Sequence, residues 1–416
     1  MDSLETIYIN LSKIYIDKRD YKSALHYINK TLDKNNKSYI ALINLAKIQI
    51  EQLYLDEAIL TLEKAIKIDD VNHMAYFNLG LVFKYKLQYS TAIEYFKKCI
   101  ALNTNLTDPH FSIGEIQLTQ NDFKNGWENY EFRWVKTGKR PLGMSFDKPL
   151  WKPKLGFGNI LIWGEQGLGD QILFSTIIED AAKKFAKIYL AVDNRISFLF
   201  DNLKPNVILI NPSNQLSSYN IDYHLPIGSL CKYFRDSIDT FSKSTINPVS
   251  LKSIKKTGLN YKCAISVKSF NRDTGAIRSI KLNLLEKILK IENIDFYDIQ
   301  YDNNSDSIPN IYETALKPVQ NIDTFKDIKG IADFIKSCDF IICASNTNSH
   351  IAGFLKVPTY LLAPMGKGDF WYWHNNNHNR NLWYPSIQVF HQSKILDWST
   401  PINNLEQTIK KDICVS

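Results

Sequence analysis

Between Ile160 and Asp170 the chain reads ILIWGEQGLGD. A short apolar run ends in a glycine-rich turn, and an acid stands where a helix should begin. A strand that runs into Gly-x-Gly before a helix brings bare backbone N–H groups close to a ligand. Glu165, Gln166, Gly167 and Gly169 form this turn and are candidates for a cleft lining. Asp170 is placed either to cap the helix or to take a proton from a bound substrate. A carboxylate near its ordinary pKa of about 3.9 is a poor base, so a catalytic Asp170 requires burial to raise it. A second run, Ser345–Asn346–Thr347–Asn348–Ser349–His350, follows the apolar stretch Phe340–Cys343. Small hydroxyl and amide side chains at a helix N-terminus, with free N–H groups, suit a diphosphate. Any one of them also serves as a plain N-cap.

These residues need elements to hold them. Apolar strand candidates are Asn159–Trp163, Ile188–Val192, Val207–Ile210 and Tyr223–Leu225, then Cys263–Val267, Phe296–Ile299, Phe340–Cys343, Thr359–Ala363 and Gln388–Phe390. Helical patterns lie between them, at Gln171–Phe185, Leu282–Leu289, Ile328–Cys338 and from about His350 to Leu355, and a last helix lies near Asn403–Lys411. Alternating β and α units imply parallel sheets covered on both faces. Two series separated near residues 245–260 imply two Rossmann-like halves, with a ligand at the carboxyl ends of the strands between them.

The N-terminal third reads differently. Ala24, Ala58, Ala92 and Gly126 share one phase of a 34-residue period, Leu11, Leu45, Leu79 and Ile113 a second, and Ile28, Leu62, Phe96 and Tyr130 a third. Small residues let paired helices approach and large apolar ones fill the gaps. The period resembles the tetratricopeptide repeat, whose units stack into a solenoid with a concave groove. That groove suits a peptide or protein, or a second copy of the chain as a homo-oligomer. The expected layout is repeats at 1–137, a Pro-, Lys- and Gly-rich linker at 138–155, and α/β halves at 156–255 and 256–416.

Composition narrows the class. With 416 residues, 44% hydrophobic and 22% charged, the chain is ordinary for a globular protein of two or three domains. No apolar stretch approaches the roughly 20 residues that span a bilayer, and MDSLETIYIN has no signal-peptide character, so a cytoplasmic location is expected. The six cysteines form no Cys-x-x-Cys pair and suit buried thiols, with neither zinc site nor disulfide framework. Residues 1–137 balance 17 basic against 17 acidic side chains, so the +7 net charge falls on the α/β part. That suits an anionic ligand such as a nucleotide, as it also suits a lysine-rich chain. No arginine stripe with interleaved aromatics indicates nucleic acid. A P-loop, a Gly-x-Ser-x-Gly elbow and an Asp-x-Asp clamp are all missing from the sequence.

Residues 143–400 resemble the glycosyltransferase-like domain found behind tetratricopeptide repeats in bacterial proteins, which is related to the lipopolysaccharide heptosyltransferases. The pieces that carry the resemblance are FDKPLW, GEQGLGDQILF, DYHLPIGSL, Arg278–Ile280, SNTNSHIAG, and LWYPS followed by Asp397–Trp398. The resemblance implies an α + α/β chain: a helical solenoid followed by two Rossmann-like domains in the GT-B arrangement. It implies an inverting, metal-independent transfer from a nucleotide sugar, with no cofactor. Asp170 would be the base. The Ser345–His350 turn would hold the donor diphosphate, with His350 near ribose or phosphate. Arg278 and Lys268 would neutralise the leaving group, and His224 would face the acceptor. The acceptor side would be 156–255 and the nucleotide side 256–416, and the last helix, near Asn403–Lys411, would cross back to the first domain as in related folds. The alternative is a non-catalytic scaffold whose α/β part senses a sugar nucleotide or has lost activity. Trp371, Trp373, Trp383 and Tyr384 suit either a stacking wall or an apolar core.

Overall fold

The computed structural model describes residues 3–134, 148–211, 216–242, 258–300, 315–374, 376–377 and 380–414. Most of the expected linker, and the segment 243–257 where the α/β halves were expected to part, lie outside the described residues, as does the side chain of Cys414. The chain divides into two units, Met1–Ile116 with Asn129–Lys136, and Gln117–Glu128 with Thr137–Ser416.

The repeats form helices α1 (Ser3–Lys18), α2 (Tyr21–Lys34), α3 (Tyr39–Glu51), α4 (Leu55–Ile68), α5 (His73–Tyr85), α6 (Tyr89–Leu102), α7 (Asp108–Thr119) and α8 (Phe123–Tyr130). The repeat phases are the packing positions. Ala24, Ala58 and Ala92 are fully buried, as are Ile28, Leu62 and Phe96. At Gly80 a Cβ would stand 2.5 Å from the Phe96 ring, so only hydrogen fits there. Inside each repeat the chain reverses through one left-handed residue: Arg19 (φ 61°), Leu53 (65°), Leu87 (59°) and Asn121 (62°), again 34 apart. The next N–H then returns to the carbonyl five residues back, Asp20 to Tyr15, Tyr54 to Gln49, Gln88 to Phe83 and Asp122 to Gln117, at 2.8–2.9 Å. This closes the helix end as a Schellman turn does. A side chain in this conformation costs about 1–2 kcal/mol, which the flanking helix pair must offset.

The α/β unit holds two parallel sheets. The first contains β1 (Asn159–Trp163), β2 (Lys187–Ala191), β3 (Val207–Leu209) and β4 (Tyr223–Pro226) in the order β3-β2-β1-β4. The second contains β5 (Tyr261–Ser266), β6 (Ile294–Asp298), β7 (Leu316–Pro318), β8 (Phe340–Ala344), β9 (Thr359–Ala363) and β12 (Ile387–His391) in the order β12-β9-β8-β5-β6-β7. The short pair β10 (Asn376–Asn377) and β11 (Arg380–Asn381) forms a separate antiparallel ribbon before β12. Read from β5, the second sheet has the doubly wound order 3-2-1-4-5-6, and the first has its 3-2-1-4 portion. Two Rossmann-like halves behind a helical repeat array are the α + α/β, GT-B-type architecture expected. Each sheet reverses its order once, beside β1 and between β5 and β8.

Local elements depart from expectation in three places. The Gln171–Phe185 pattern begins at Leu168 and divides into the helices Leu168–Ser175 and Ile178–Ala182. The second site's helix runs Thr347–Phe354, so Thr347–Ser349 of its polar run are already helical and Asn346 is the N-cap. The last helix, Ser399–Cys414, does not cross back: Ile402, Leu405 and Ile409 lie in the second sheet's core with Cys263, Phe340 and Tyr360, and the Tyr360 hydroxyl donates to Asp412 at 2.7 Å. Trp371, Trp373, Trp383 and Tyr384 are apolar core, each at most 5% exposed. Trp127, carried by α8, packs edge-on to Trp371 and Trp383 at 5.3 and 6.3 Å, and its Nε1 donates to the Arg235 carbonyl at 2.6 Å.

The repeat turns yield a paired prediction. Arg19→Gly relieves a left-handed side chain and is expected to raise stability by about 0.5–1 kcal/mol. Gly80→Val overpacks the Phe96 contact and is expected to cost about 1–3 kcal/mol. Urea unfolding followed by far-UV circular dichroism reads both; equal effects of one sign would refute the assignment.

Candidate functional site

The two order reversals set two helix N-termini facing one cleft. From the first half come Gly167–Asp170, directly after β1. From the second come Ser266, Lys268–Asn271 and Arg278 after β5, and Ser345–Asn348 and His350 after β8, with Phe370 and Tyr372 as an aromatic side. The cavity measures about 300 Å³, at the lower edge of small-molecule pockets.

The glycine-rich turn works through close approach. Its left-handed residue is Gln166 (φ 57°), whose side chain is exposed. Gly167 is the extended N-cap of the Leu168–Ser175 helix. A Cβ on Gly169 would stand 2.7 Å from His350 Cδ2, so glycine there lets the two helices meet at the cleft floor. Asp170 accepts a hydrogen bond from the Gly167 N–H at 3.1 Å, as a helix cap does, and lines the cleft as well. Burial raises its pKa to about 6 and Glu165 adds to the rise, while the Gly167 hydrogen bond and Arg278 oppose it. The carboxylate is thereby brought into the range useful for a general base.

In the second half, side-chain amides hold the frame. Asn346 caps the Thr347–Phe354 helix, accepting from Ser349 N at 3.3 Å. Its Nδ2 lies 3.0 Å from the carbonyls of Ser266 and Lys268 and from Ser266 Oγ. Asn348 Nδ2 donates to Ser266 Oγ at 2.9 Å and to the Ile299 carbonyl at 3.2 Å. Ser345 Oγ accepts from Trp373 Nε1 at 2.8 Å, and Ser349 Oγ donates to the Asn346 carbonyl at 2.6 Å. These side chains are engaged in structure. What the turn leaves toward a ligand is the first-turn N–H groups of Thr347 and Asn348 and the positive helix end.

Arg278 supplies the fixed cation. It is buried, donates to the Ser345 carbonyl at 3.3 Å and to Thr274 Oγ1, and stacks on Phe370 with 4.7 Å to the ring centroid. Its Nε has no hydrogen-bond partner. A guanidinium lining the cleft beside two helix N-termini is an arrangement that favours an anion. Lys268 is half-buried on the same wall. His350 is fixed on both ring nitrogens, Nδ1 3.1 Å from the Tyr384 hydroxyl and Nε2 3.4 Å from that of Tyr372. Burial, with Arg278, lowers its pKa to about 3, so it is neutral. One tyrosine hydroxyl must therefore donate to it and the other accept.

Four sequence candidates do not line the cleft. Glu165 is buried, and its Oε1 accepts from the Gly228 N–H at 2.7 Å. His224 is buried in β4, and its Nδ1 accepts from Trp163 Nε1 at 3.3 Å. Gln166 and the fully buried Ser349 are the other two. Ser269, Phe270, Asn271, Phe370 and Tyr372 line the cleft without having been singled out; none belongs to a spacing that distinguishes it from loop or core.

In the repeat unit a groove of about 480 Å³ is lined by Asn10, Asn44 and Asn78, with Lys13, Lys47, His73 and Phe77. The asparagines are 34 residues apart, a phase legible in the sequence once the period is known. Among the described residues no helix is long and apolar enough to cross a membrane.

Comparison with known proteins agrees on the repeats. Residues 5–106 match the family described as Iml2/Tetratricopeptide repeat protein 39. A curated relative, Protein FlbA of Caulobacter vibrioides, is 21% identical over 329 residues, 72% of this chain and 54% of that protein. The chain thus spans about half the length of this relative. Among solved structures, an O-GlcNAc transferase of Thermobaculum terrenum is similar over 99% of this chain and 91% of its own, at 11% identity and TM-score 0.37. A heptosyltransferase of E. coli, with ADP, is similar over 61% of this chain and 99% of its own, at 11% identity and TM-score 0.40.

Asp170 gives the site a pH signature. A carboxyl whose folded pKa is near 6, above its ordinary 3.8, contributes stability that is fully present below 3.8 and lost as pH rises through 6. Asp170→Asn keeps an acceptor for Gly167 without the charge. Its melting temperature is expected to gain on the parent's between about pH 4 and pH 7.5. A pH-independent difference in differential scanning fluorimetry would show an ordinary carboxylate.

Proposed function

We propose that the chain is a glycosyltransferase of the inverting, heptosyltransferase-like kind, moving a sugar from a nucleoside diphosphate to an acceptor hydroxyl. The observation that carries this reading is the composition of one cleft: a carboxylate raised toward neutrality, a buried arginine with a donor to spare, and two helix N-termini. In the transfer, Asp170 takes the proton of the acceptor hydroxyl as its oxygen attacks the anomeric carbon. The bond from that carbon to the diphosphate oxygen breaks, and the leaving group carries away the electron pair. Arg278 and the Thr347 and Asn348 N–H groups stabilise the charge that develops there, with Lys268 at the wall. Protein dipoles and these side chains take the place of a cation, so the transfer runs without added metal. Phe370 and Tyr372 offer rings against which the nucleotide or sugar packs.

The repeat groove supports a protein or peptide acceptor. Asn10, Asn44 and Asn78 repeat an amide at regular intervals, each able to donate to and accept from an extended backbone. Carrying that groove and the cleft on one chain raises the acceptor's effective concentration. A cytoplasmic location follows from a supply of nucleotide sugar.

Titration calorimetry with UDP-, GDP- and ADP-sugars, without added metal, tests the reading. The parent is expected to bind one donor class. Arg278→Ala is expected to weaken that binding about 10- to 100-fold through loss of charge-assisted hydrogen bonds. Asp170→Asn is expected to bind normally and to turn over about 10²- to 10⁴-fold more slowly. Failure of the parent to bind any sugar nucleotide would overturn the transferase and leave the non-catalytic scaffold, in which the repeats alone do the work.

A further inference from the structure

Behind the Phe370–Tyr372 wall lies a second cluster, made by Asp369, His374 and His391. Their ligand-type atoms lie within 4.8 Å of one another. Asp369 is 7% exposed, and the two imidazoles are 25% exposed. Asp369 Oδ2 is 2.5 Å from His374 Nε2 and 3.9 Å from His391 Nδ1, and the histidine rings stack with centroids 4.3 Å apart.

The hydrogen bonds around the cluster fix which atoms face inward. Asp369 Oδ1 is occupied by the Phe370 N–H at 2.9 Å, which turns Oδ2 toward the histidines. His391 Nε2 lies 3.3 Å from the Trp373 carbonyl, which can only accept, so Nε2 carries the proton. The other ring nitrogen, Nδ1, is turned toward Asp369. It is buried and without a hydrogen-bond partner, and it faces the carboxylate. A buried ring nitrogen without a hydrogen-bond partner, next to a carboxylate and a second imidazole, is a place that a cation would fill. The outer partners are those that orient metal ligands: a carbonyl on the far nitrogen of a histidine, and an N–H on the second oxygen of the carboxylate.

We propose that Asp369, His374 and His391 bind one divalent transition-metal ion, Zn²⁺ being the best fit to two imidazoles and a carboxylate. Three protein ligands leave the fourth tetrahedral position to water. The ligands are 5 and 17 residues apart and come from a turn and a strand end, so no spacing in the sequence announces them. None of the three lines the cleft. The ion would tie the segment that carries Phe370 and Tyr372 to the end of β12. It is a structural clip, separate from the transfer proposed above, and its test does not use activity.

The test is Co²⁺ added to the tag-free, metal-stripped full chain, followed by visible absorption and by competition with Zn²⁺. The parent is expected to bind one equivalent, with the d–d bands of a tetrahedral site that Zn²⁺ abolishes. His391→Ala and Asp369→Asn should each lose the bands, with far-UV circular dichroism unchanged. His224→Ala, a buried histidine outside the cluster, should keep them. Absence of tetrahedral bands in the parent, or their survival in His391→Ala, would overturn the proposal. If a variant misfolds, His391→Cys gives the decision by retaining a ligand and shifting the bands through a thiolate charge-transfer absorption.

Discussion

Everything at the cleft depends on how closely the Gly169 backbone approaches His350. Each helix there begins where its own sheet reverses strand order, so each N-terminus already faces outward. What makes the two into a single site is that one helix has no side chain at the contact and the other has an imidazole held rigidly. Tyr372 and Tyr384 fix that ring from both nitrogens. Tyr384 is placed in turn by Gly353, where a Cβ would stand 2.5 Å from its ring. A small residue, a ring and another small residue thus hold the two halves in register. The histidine belongs to this packing first. Its neutrality lets it sit beside Arg278 without adding a second positive charge.

That packing also sets the electrostatics. By closing the cleft floor it removes water from Asp170, and desolvation is the largest influence on that carboxyl. The Gly167 N–H and Arg278 then hold the shift in check. A carboxylate fully stripped of partners would remain protonated, and one fully solvated would be too weak a base. The helix cap and the raised carboxyl are therefore one feature. The hydrogen bond that fastens the helix end is also what keeps the acid from rising further. Arg278 plays the complementary part, fixed by Ser345, Thr274 and Phe370 yet retaining one donor.

Much of the architecture was legible because its signals are periodic or contiguous. Ala24, Ala58 and Ala92 mark the repeat, and buried parallel strands such as Phe340–Ala344 are plain apolar runs. The turn residues Arg19, Leu53 and Leu87 were not legible. Nothing in an arginine or leucine advertises a left-handed conformation, which tertiary packing imposes. At the site, Asp170, Arg278 and the Thr347–Asn348 turn stood out because a charge or a polar run beside a buried strand is unusual. Phe370 and Tyr372 did not, since an aromatic at the cleft and one in the core look alike in sequence. Glu165 and His224 illustrate the opposite case: both are polar residues next to informative ones, and both are engaged in holding the first sheet.

The aromatic block accounts for the grouping of Gln117–Glu128 with the α/β unit. Trp127 stands on the last helix of the repeats, within that segment. It is covered by Trp371 and Trp383, and the Arg235 carbonyl satisfies its indole N–H. Trp371 and Trp373 flank Tyr372, and Trp373 anchors Ser345. One short segment, 369–374, therefore carries the cover of Trp127, the wall of the cleft, a support of the Ser345–Asn348 turn, and two of the three residues of the Asp369–His374–His391 cluster. Its conformation is constrained from four sides. A segment without regular secondary structure of any length needs such constraints, since its own backbone hydrogen bonds do not fix it.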